Sequence, residues 1–387
     1  MRITLLNTAV LATPHGGIPA VNRQIIRQFD RIAGEQGVPL VVEVWSLHDE
    51  ALSPEAAARE VGLPPGRLRW RGFRGSKAGL LVEAARSRGA GDVILSTHCN
   101  LAPVSRLLHA ANKSARVYQF LHGVECWRSL SLRNRWGLAV TRAFLSNSAF
   151  THRRFLHYNP RYKEVSSHVC WLGTPEDHVP EAAPAEADEG DLSVLIVGRI
   201  VGEERYKGHE QLLAIWPEVR RRFPGARLDI VGGGNAAGAL REEAARRGLI
   251  ETGAVKLWGQ VSDAELRERY RRCSVFAMPS RGEGFGLVYL EAMAFAKPCL
   301  ASLDDAAAEV VVAEETGLLV RYADREGLLY ALSRLLESRA LRQRLGQAGR
   351  ERVLSHFTER HFGDRLWRAL SLPHGAEPPR STSIAWA

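Results

Sequence analysis

Leu192-Ser-Val-Leu-Ile-Val-Gly-Arg-Ile-Val-Gly-Glu-Glu-Arg-Tyr-Lys-Gly-His209 is the stretch on which the fold turns. It opens with a short apolar run that ends at Gly198, continues as a glycine-bounded loop, and enters a helical stretch from His209 to Phe223. Leu212, Leu213, Trp216 and Val219 recur there at helical spacing. The same sentence is repeated downstream. Apolar runs stand at Arg227-Leu-Asp-Ile-Val, Val255-Lys-Leu-Trp, Val275-Phe-Ala-Met, Pro298-Cys-Leu-Ala and Gly317-Leu-Leu-Val. Amphipathic segments such as Asp263 to Arg272 and Arg325 to Ser338 lie between them. Continuous apolar strands alternating with helices imply a parallel sheet covered on both faces. The first half alternates too, with strands expected at Arg2 to Thr8, Leu40 to Trp45, Val93 to Thr97 and Arg116 to Phe120. Its helices are expected at about Val21 to Ile32 and Leu80 to Ser87. The fold class is therefore α/β, with two Rossmann-like domains.

A chain of 387 residues has the length of about two domains. The acidic, Pro/Ala-rich segment 176–191 reads as the linker between an N-terminal domain, 1–175, and a C-terminal domain, 192–357. A C-terminal helix is expected over 358–372, packing back toward the N-terminal domain, and a disordered tail over 373–387. With 45% hydrophobic and 25% charged residues, a disordered chain, a collagen-like repeat and a small disulfide scaffold are all excluded. No apolar run reaches the roughly 20 residues of a membrane span. The five cysteines, Cys99, Cys126, Cys170, Cys273 and Cys299, are scattered and form no Cys-x-x-Cys, which suits free thiols in a reducing, cytoplasmic compartment.

The net charge of +9 is unevenly spread. Residues 1–175 hold 23 Lys/Arg against 11 Asp/Glu, whereas 176–387 hold 29 against 32. Only six lysines occur, at 77, 113, 163, 207, 256 and 297, so a lysine in a functional loop carries more information than an arginine.

Two loops carry the chemistry. In Ser280-Arg-Gly-Glu-Gly-Phe-Gly-Leu-Val-Tyr-Leu-Glu291, a glycine-rich turn leads from a strand into a helix. Gly284 and Gly286 permit tight turns and close ligand approach, and the helix start offers unpaired N–H groups to a phosphate. Glu291 lies on an otherwise apolar helix, where a carboxylate is costly unless it is bonded to something, whether a ligand or a nearby arginine. Glu283 sits in the loop before it, at a strand-to-helix corner of the kind where open α/β sheets bind ligands. The second loop, Val197 to Gly208, carries Arg199 and Lys207, two cations suited to a diphosphate. Arg205, Glu203 and Glu204 would fit a solvated surface loop instead, but the scarcity of lysine in this chain favours the phosphate reading.

Other signals are weaker. His15-Gly16-Gly17-Ile18 is either a ligand-facing glycine loop or a plain turn. Gly232-Gly-Gly-Asn-Ala-Ala-Gly238 is one residue too long for a dinucleotide fingerprint, and Trp258-Gly-Gln260 stands where its acidic partner belongs. There is no Gly-x-x-x-x-Gly-Lys-Ser/Thr loop, no His-Glu-x-x-His and no Asp-x-Asp, so neither a P-loop nor a metal site is expected. No module signature supports nucleic-acid binding.

Together these segments resemble the retaining glycosyltransferases of family 4, often called group 1. The resemblance rests on Glu283-x7-Glu291, on Gly198-Arg199 with Lys207-Gly208, and on Pro298-Cys-Leu-Ala-Ser with Glu309-Val-Val and Thr316-Gly-Leu-Leu-Val. In the first half it rests on Gly16-Gly17-Ile18 and on His122-Gly-Val-Glu-Cys-Trp127. It implies the GT-B fold, two Rossmann-like domains whose parallel sheets face each other across a cleft. The implied activity is retaining, metal-independent transfer of a hexosyl group from a nucleoside-diphosphate sugar to a saccharide or lipid-linked saccharide, with no cofactor.

By that resemblance Glu291 binds the ribose, while Arg199 and Lys207 neutralise the diphosphate and stabilise it as it leaves. Glu283 contacts the transferred sugar, with the backbone of Gly284, Phe285, Gly286 and Leu287 around sugar and phosphate. Gly16 and Gly17 approach the phosphates from the other domain, and His122 contacts the sugar near the anomeric centre. The acceptor attacks from the face the leaving group departs, and the departing phosphate oxygen takes its proton. One departure stands out: Asp304-Asp305 replaces the family's usual Gly-Gly before Glu309. The alternatives are a GT-B sugar-nucleotide epimerase, against which the Glu283/Glu291 pair argues, and an inactive scaffold, against which the intact charged set argues. A glycosidase acid/base pair would need no diphosphate clamp. The basic first half, with Arg67-Leu-Arg-Trp-Arg-Gly-Phe-Arg74 and Trp127-Arg-Ser-Leu-Ser-Leu-Arg-Asn-Arg-Trp136, leads to an expected peripheral contact with an anionic bilayer at the inner membrane face.

Overall fold

The computed structural model describes residues 1–12, 17–64, 66–87, 91–183 and 192–373, without the side chains of 203–205. Gly16 and His15, the 184–191 part of the linker and residues 374–387 of the tail lie outside the described residues, as do the side chains of Glu203, Glu204 and Arg205.

The chain divides into two units. The first, containing residues 1–146, 158–170 and the chain from Phe362, holds a parallel sheet. Its strands are β1 (Arg2–Asn7), β2 (Val41–Ser46), β3 (Leu68–Gly72), β4 (Val93–Ser96), β5 (Arg116–Leu121), β6 (Thr141–Ser146) and β7 (Ser166–Val169), in the order β3-β2-β1-β4-β5-β6-β7. The second, residues 147–157 and 171–361, holds β8 (Ser193–Val197), β9 (Arg227–Val231), β10 (Val255–Gly259), β11 (Val275–Ala277), β12 (Cys299–Ser302) and β13 (Gly317–Val320), in the order β10-β9-β8-β11-β12-β13. Every residue of β8 is buried, as a central parallel strand with both faces covered must be. Each unit thus has the Rossmann arrangement, in which strand order reverses at one point, between β1 and β4 and between β8 and β11.

Three strands were not expected. Arg67 to Arg74 contains β3, where Leu68 and Trp70 turn inward and Arg69 and Arg71 outward. Trp70 is spent on packing, with its indole N–H donated to the Glu50 carbonyl at 2.8 Å. Arg71 pairs with Glu43 at 3.0 Å and with Glu83, Arg67 with Asp30 at 3.2 Å, and Arg74 with Glu50 at 3.8 Å. Strands β6 and β7 were hidden by their polar content.

Residues 147–157, most of the helix Ala149–Tyr158, group with the second unit, although β6 and β7 on either side belong to the first sheet. The Glu309 carboxylate holds that helix: it accepts the Ala149 and Phe150 N–H groups at 2.9 and 2.7 Å and the Trp171 indole N–H at 2.9 Å. Free N–H groups at a helix start favour such a carboxylate.

The last helix, Glu359–Ala369, packs onto first-unit elements from Phe362 onward. Trp367 meets Phe29 edge-on at 6.4 Å, Asp364 pairs with Arg31 at 2.7 Å, and the Tyr118 hydroxyl donates to the Leu370 carbonyl at 3.0 Å. All five cysteines are buried and free. Among the described residues, no helix is long and apolar enough to cross a membrane.

Candidate functional site

The reversal of strand order between β8 and β11 places the loops that follow these two strands side by side. Those loops are the two the sequence singles out. They are joined at three levels: the Arg281 N–H donates to the Tyr206 carbonyl at 2.9 Å, the Tyr206 ring lies against Gly282, and Lys207 Nζ meets Glu283 Oε1 at 2.5 Å. A Cβ on Gly282 would sit 2.7 Å from that ring, so only glycine lets the loops close. Gly198 leaves room for the Lys207 stem, which a Cβ there would meet at 3.1 Å. Lys207 and Glu283, far apart in sequence, are thus an ion pair with side chains only 14% exposed. The lysine expected to meet a diphosphate already holds a carboxylate. Arg199, on the same loop, is exposed.

The glycine-rich loop is pinned by its backbone. Asp305 Oδ2 accepts the Ser280 hydroxyl at 2.6 Å and the Glu283 N–H at 3.0 Å. The Gly284 carbonyl accepts the hydroxyls of Ser148 at 2.7 Å and Thr151 at 3.1 Å. Phe285 is buried and packs on Phe357 with centroids 6.0 Å apart. Gly286 has φ +93 and caps the helix Leu287–Ala294 without a side chain, so the amides at that helix start have no side-chain cap. Such a terminus favours an anion.

Glu291, one turn into that helix, is half-buried. The Tyr270 hydroxyl donates to its Oε2 at 2.7 Å. Burial pushes the Glu291 carboxyl above its ordinary range, with the Tyr270 hydrogen bond and His178 opposing.

In the first unit, the loop after β1 is cradled by buried Asp49, which accepts N–H groups of Val10, Leu11 and Ala12 at 2.7, 3.0 and 2.5 Å and the Ser46 hydroxyl at 2.6 Å. Gly17 follows as the first residue of the helix Gly17–Glu35, with nothing within 4 Å of its would-be Cβ. His122, just after β5, is buried against Phe120 with ring centroids 4.8 Å apart. Its pKa is lowered to about 4 by burial, with Glu125 opposing and His98 assisting. Glu125 turns back to accept the His122 and Gly123 N–H groups at 2.8 and 3.1 Å.

Of the residues singled out in the sequence, Lys207, Glu283, Gly284, Phe285, Gly286, Leu287 and Glu291 form one corner of the second unit, with Arg199 on its loop. Gly17 and His122 lie in the first unit. Asp305, Tyr270, Ser148 and Thr151 were not foreseen. Asp305 was visible only as a departure from Gly-Gly, and the others carried no local signal. A cavity of about 490 Å³ lies between the helices His209–Arg222 and Ala237–Arg246, lined by Ile200, His209, Leu213 and Leu240 among others. None of Arg199, Lys207, Glu283 or Glu291 lines it.

Residues 180–352 match the family model described as Glycosyl transferases group 1. A GDP-mannose-dependent alpha-(1-6)-phosphatidylinositol monomannoside mannosyltransferase of Mycobacterium tuberculosis is 35% identical over 72% of this chain and 69% of its own length. The corresponding enzyme of Mycolicibacterium smegmatis is 34% identical over 47% of this chain, and a glycogen synthase of M. tuberculosis 33% over 64%. The chain spans 48% and 56% of the lengths of those last two relatives. The crystal structure of Anabaena HepE in complex with UDP and glucose is similar with a TM-score of 0.74 at 17% identity, over 96% of this chain and 99% of that one. That likeness shows the fold, two Rossmann-like parallel-sheet domains of the GT-B class.

Proposed function

The chain belongs to the group 1 glycosyl transferases, and from that premise we propose that it moves a hexosyl group from a nucleoside-diphosphate sugar to a saccharide or lipid-linked saccharide, retaining the anomeric configuration. The observation that carries this reading is the Lys207–Glu283 pair at the strand-order reversal, beside a helix start with no side-chain cap.

The diphosphate takes Lys207 and Arg199, with the amides around Gly286 and Leu287 turned to the same anion. Drawing Lys207 onto phosphate frees the Glu283 carboxylate for a sugar hydroxyl. As the glycosidic bond breaks, charge grows on the phosphate oxygen, and fixed cations stabilise that state more than the ground state. The same oxygen accepts the acceptor's proton, which suits attack from the departing face. Glu291, with one oxygen held by Tyr270, offers the other to the ribose. His122, kept neutral by burial, serves as a hydrogen-bonding group to the sugar and not as a cation. Charge at the corner comes from side chains and a helix terminus, which supports transfer without a divalent metal.

Relatives named as GDP-mannose-dependent mannosyltransferases of phosphatidylinositol mannosides favour a GDP-sugar and a lipid-linked acceptor. Peripheral contact with an anionic bilayer remains part of the proposal, narrowed to the second of the two arginine-rich segments, 127–136. The arginines at 67, 71 and 74 are ion-paired, whereas Leu132 and Trp136, one turn apart on the helix Leu132–Leu138, are 81% and 46% exposed. Trp136 carries Arg106 over its ring at 4.6 Å. Apolar residues amid arginines suit an anionic surface.

Thermal melting with GDP, UDP, ADP and CMP tests the reading. At 100 times its Kd a bound diphosphate adds about 2.7 kcal/mol of stability. One nucleoside diphosphate is expected to raise the Tm, in buffer containing a chelator. No shift with any of them overturns the donor assignment.

A further inference from the structure

We infer that Asp305 is a positioning residue for transfer, acting on Glu283 through the backbone without itself touching a substrate. The inference rests on the reading of Glu283 as the sugar-facing carboxylate.

Asp305 follows β12 and is 3% exposed. Its Oδ2 accepts the Ser280 hydroxyl and the Glu283 N–H, and its Oδ1 accepts the Ala307 N–H at 2.9 Å. The next residue, Ala306, donates its N–H to the Glu283 carbonyl at 3.2 Å. Residues 305 and 306 therefore grip Glu283 by both its amide and its carbonyl. Ser148 and Thr151 hold the next carbonyl, that of Gly284. With successive peptide groups fixed, the Cα of Glu283 has little freedom, and its side chain falls on Lys207.

A carboxylate suits this task because it only accepts. Three donors converge on two oxygens, and an ionised acid satisfies all of them without turning a proton against any. Gly-Gly at this position would offer no such side chain. The Glu283 charge also disfavours ionisation of Asp305. The groups facing Asp305 are Glu283 from the loop, which Lys207 neutralises, and Tyr289 from the helix Leu287–Ala294. Burial first, then Glu283, raise the Asp305 carboxyl to about 6, with Ser280 and the two amides opposing. Protonation would turn one acceptor oxygen into a donor and loosen the grip on the Glu283 amide.

The test is Asp305→Asn, which keeps the shape but presents an NH₂ group where one acceptor was. Nucleoside-diphosphate Kd, KM for the sugar donor and kcat are measured from pH 5 to 8. The expected result is a Kd within about threefold of wild type and a kcat lower by roughly 10- to 100-fold, the size of effect a small misplacement produces. The acid limb of kcat near pH 6 should vanish in the variant. Should Asp305→Asn fail to fold, Ser148→Ala/Thr151→Val releases the Gly284 carbonyl instead, and the same split between Kd and kcat is expected. An active wild type with unchanged kcat in the variant, with Kd rising as far as kcat falls, or with a persisting acid limb overturns the inference alone. A wild type that neither binds a nucleoside diphosphate nor transfers sugar overturns the underlying reading.

Discussion

His209 opens the helix that follows the cation-bearing loop, and it should make the protein acid-sensitive. It is 5% exposed, and its Nε2 has no hydrogen-bond partner among the described residues. Burial first, then the charge on Lys207, lower its pKa from the ordinary 6.5 to about 4. Between those values the unfolded chain binds a proton that the native one refuses, so stability is lost as pH falls from about 6.5 toward 4. With these two values, moving from pH 7.5 to 5 removes about 2 kcal/mol through this one residue. His209→Leu abolishes the titration, and because the imidazole has an unpaired nitrogen, the change should cost little at pH 7.5. The assay is urea unfolding of wild type and variant at both pH values, followed by tryptophan fluorescence and circular dichroism. The difference between the two proteins should move by about 2 kcal/mol in favour of the variant at pH 5. Parallel pH dependence of the two would refute the reasoning. His122 adds a second loss of the same sign in the first unit. Asp305, whose folded pKa is raised, works the other way and gains stability as pH falls through about 6.

Replacing Glu283 with Gln should free Lys207, tightening nucleoside diphosphate roughly fivefold, or about 1 kcal/mol, while slowing transfer; calorimetry showing weaker binding would count against the pair's proposed exchange. Gly286→Ala places a Cβ 2.5 Å from the Tyr289 ring at a backbone with φ +93, so the Tm should fall by the equivalent of about 1–3 kcal/mol, read by thermal melting. Activity should survive exhaustive chelation; loss restored by Mg²⁺ or Mn²⁺ would show that a metal supplies the charge assigned here to side chains.

What the sequence disclosed follows from where each signal is written. The second sheet was legible because its strands are short and mainly apolar, a pattern that burial on both faces imposes on inner strands such as β8. β3 was not, because its inward Leu68 and Trp70 alternate with arginines, and the composition suggested a bilayer surface. The pairing of Lys207 with Glu283 was half legible. Each loop announced itself, but their meeting depends on the order of strands, which no local pattern records. Tyr270 bonds Glu291 from the helix Asp263–Arg272, a partner that only topology brings within reach and that neither open reading of Glu291, ligand or arginine, had named. Asp305 was noticed as a departure from a family pattern, yet its use, holding the Glu283 amide, emerges only from distances. The passage of 147–157 into the second unit was illegible because composition marks a linker only where the chain is polar and aperiodic.

Steady-state kinetics of Lys207→Ala bear most directly on the claim that the Lys207–Glu283 corner transfers sugar. The variant loses a cation aimed at charge that grows on the leaving diphosphate. Losing one such group lowers kcat by roughly 10²- to 10³-fold in sites of this kind. The expected result is a fall of that order in kcat and kcat/KM together, with the protein folded by its Tm and circular dichroism. Wild-type kcat with only a raised KM would mean that Lys207 binds the donor without taking part in the reaction, and the account would be contradicted.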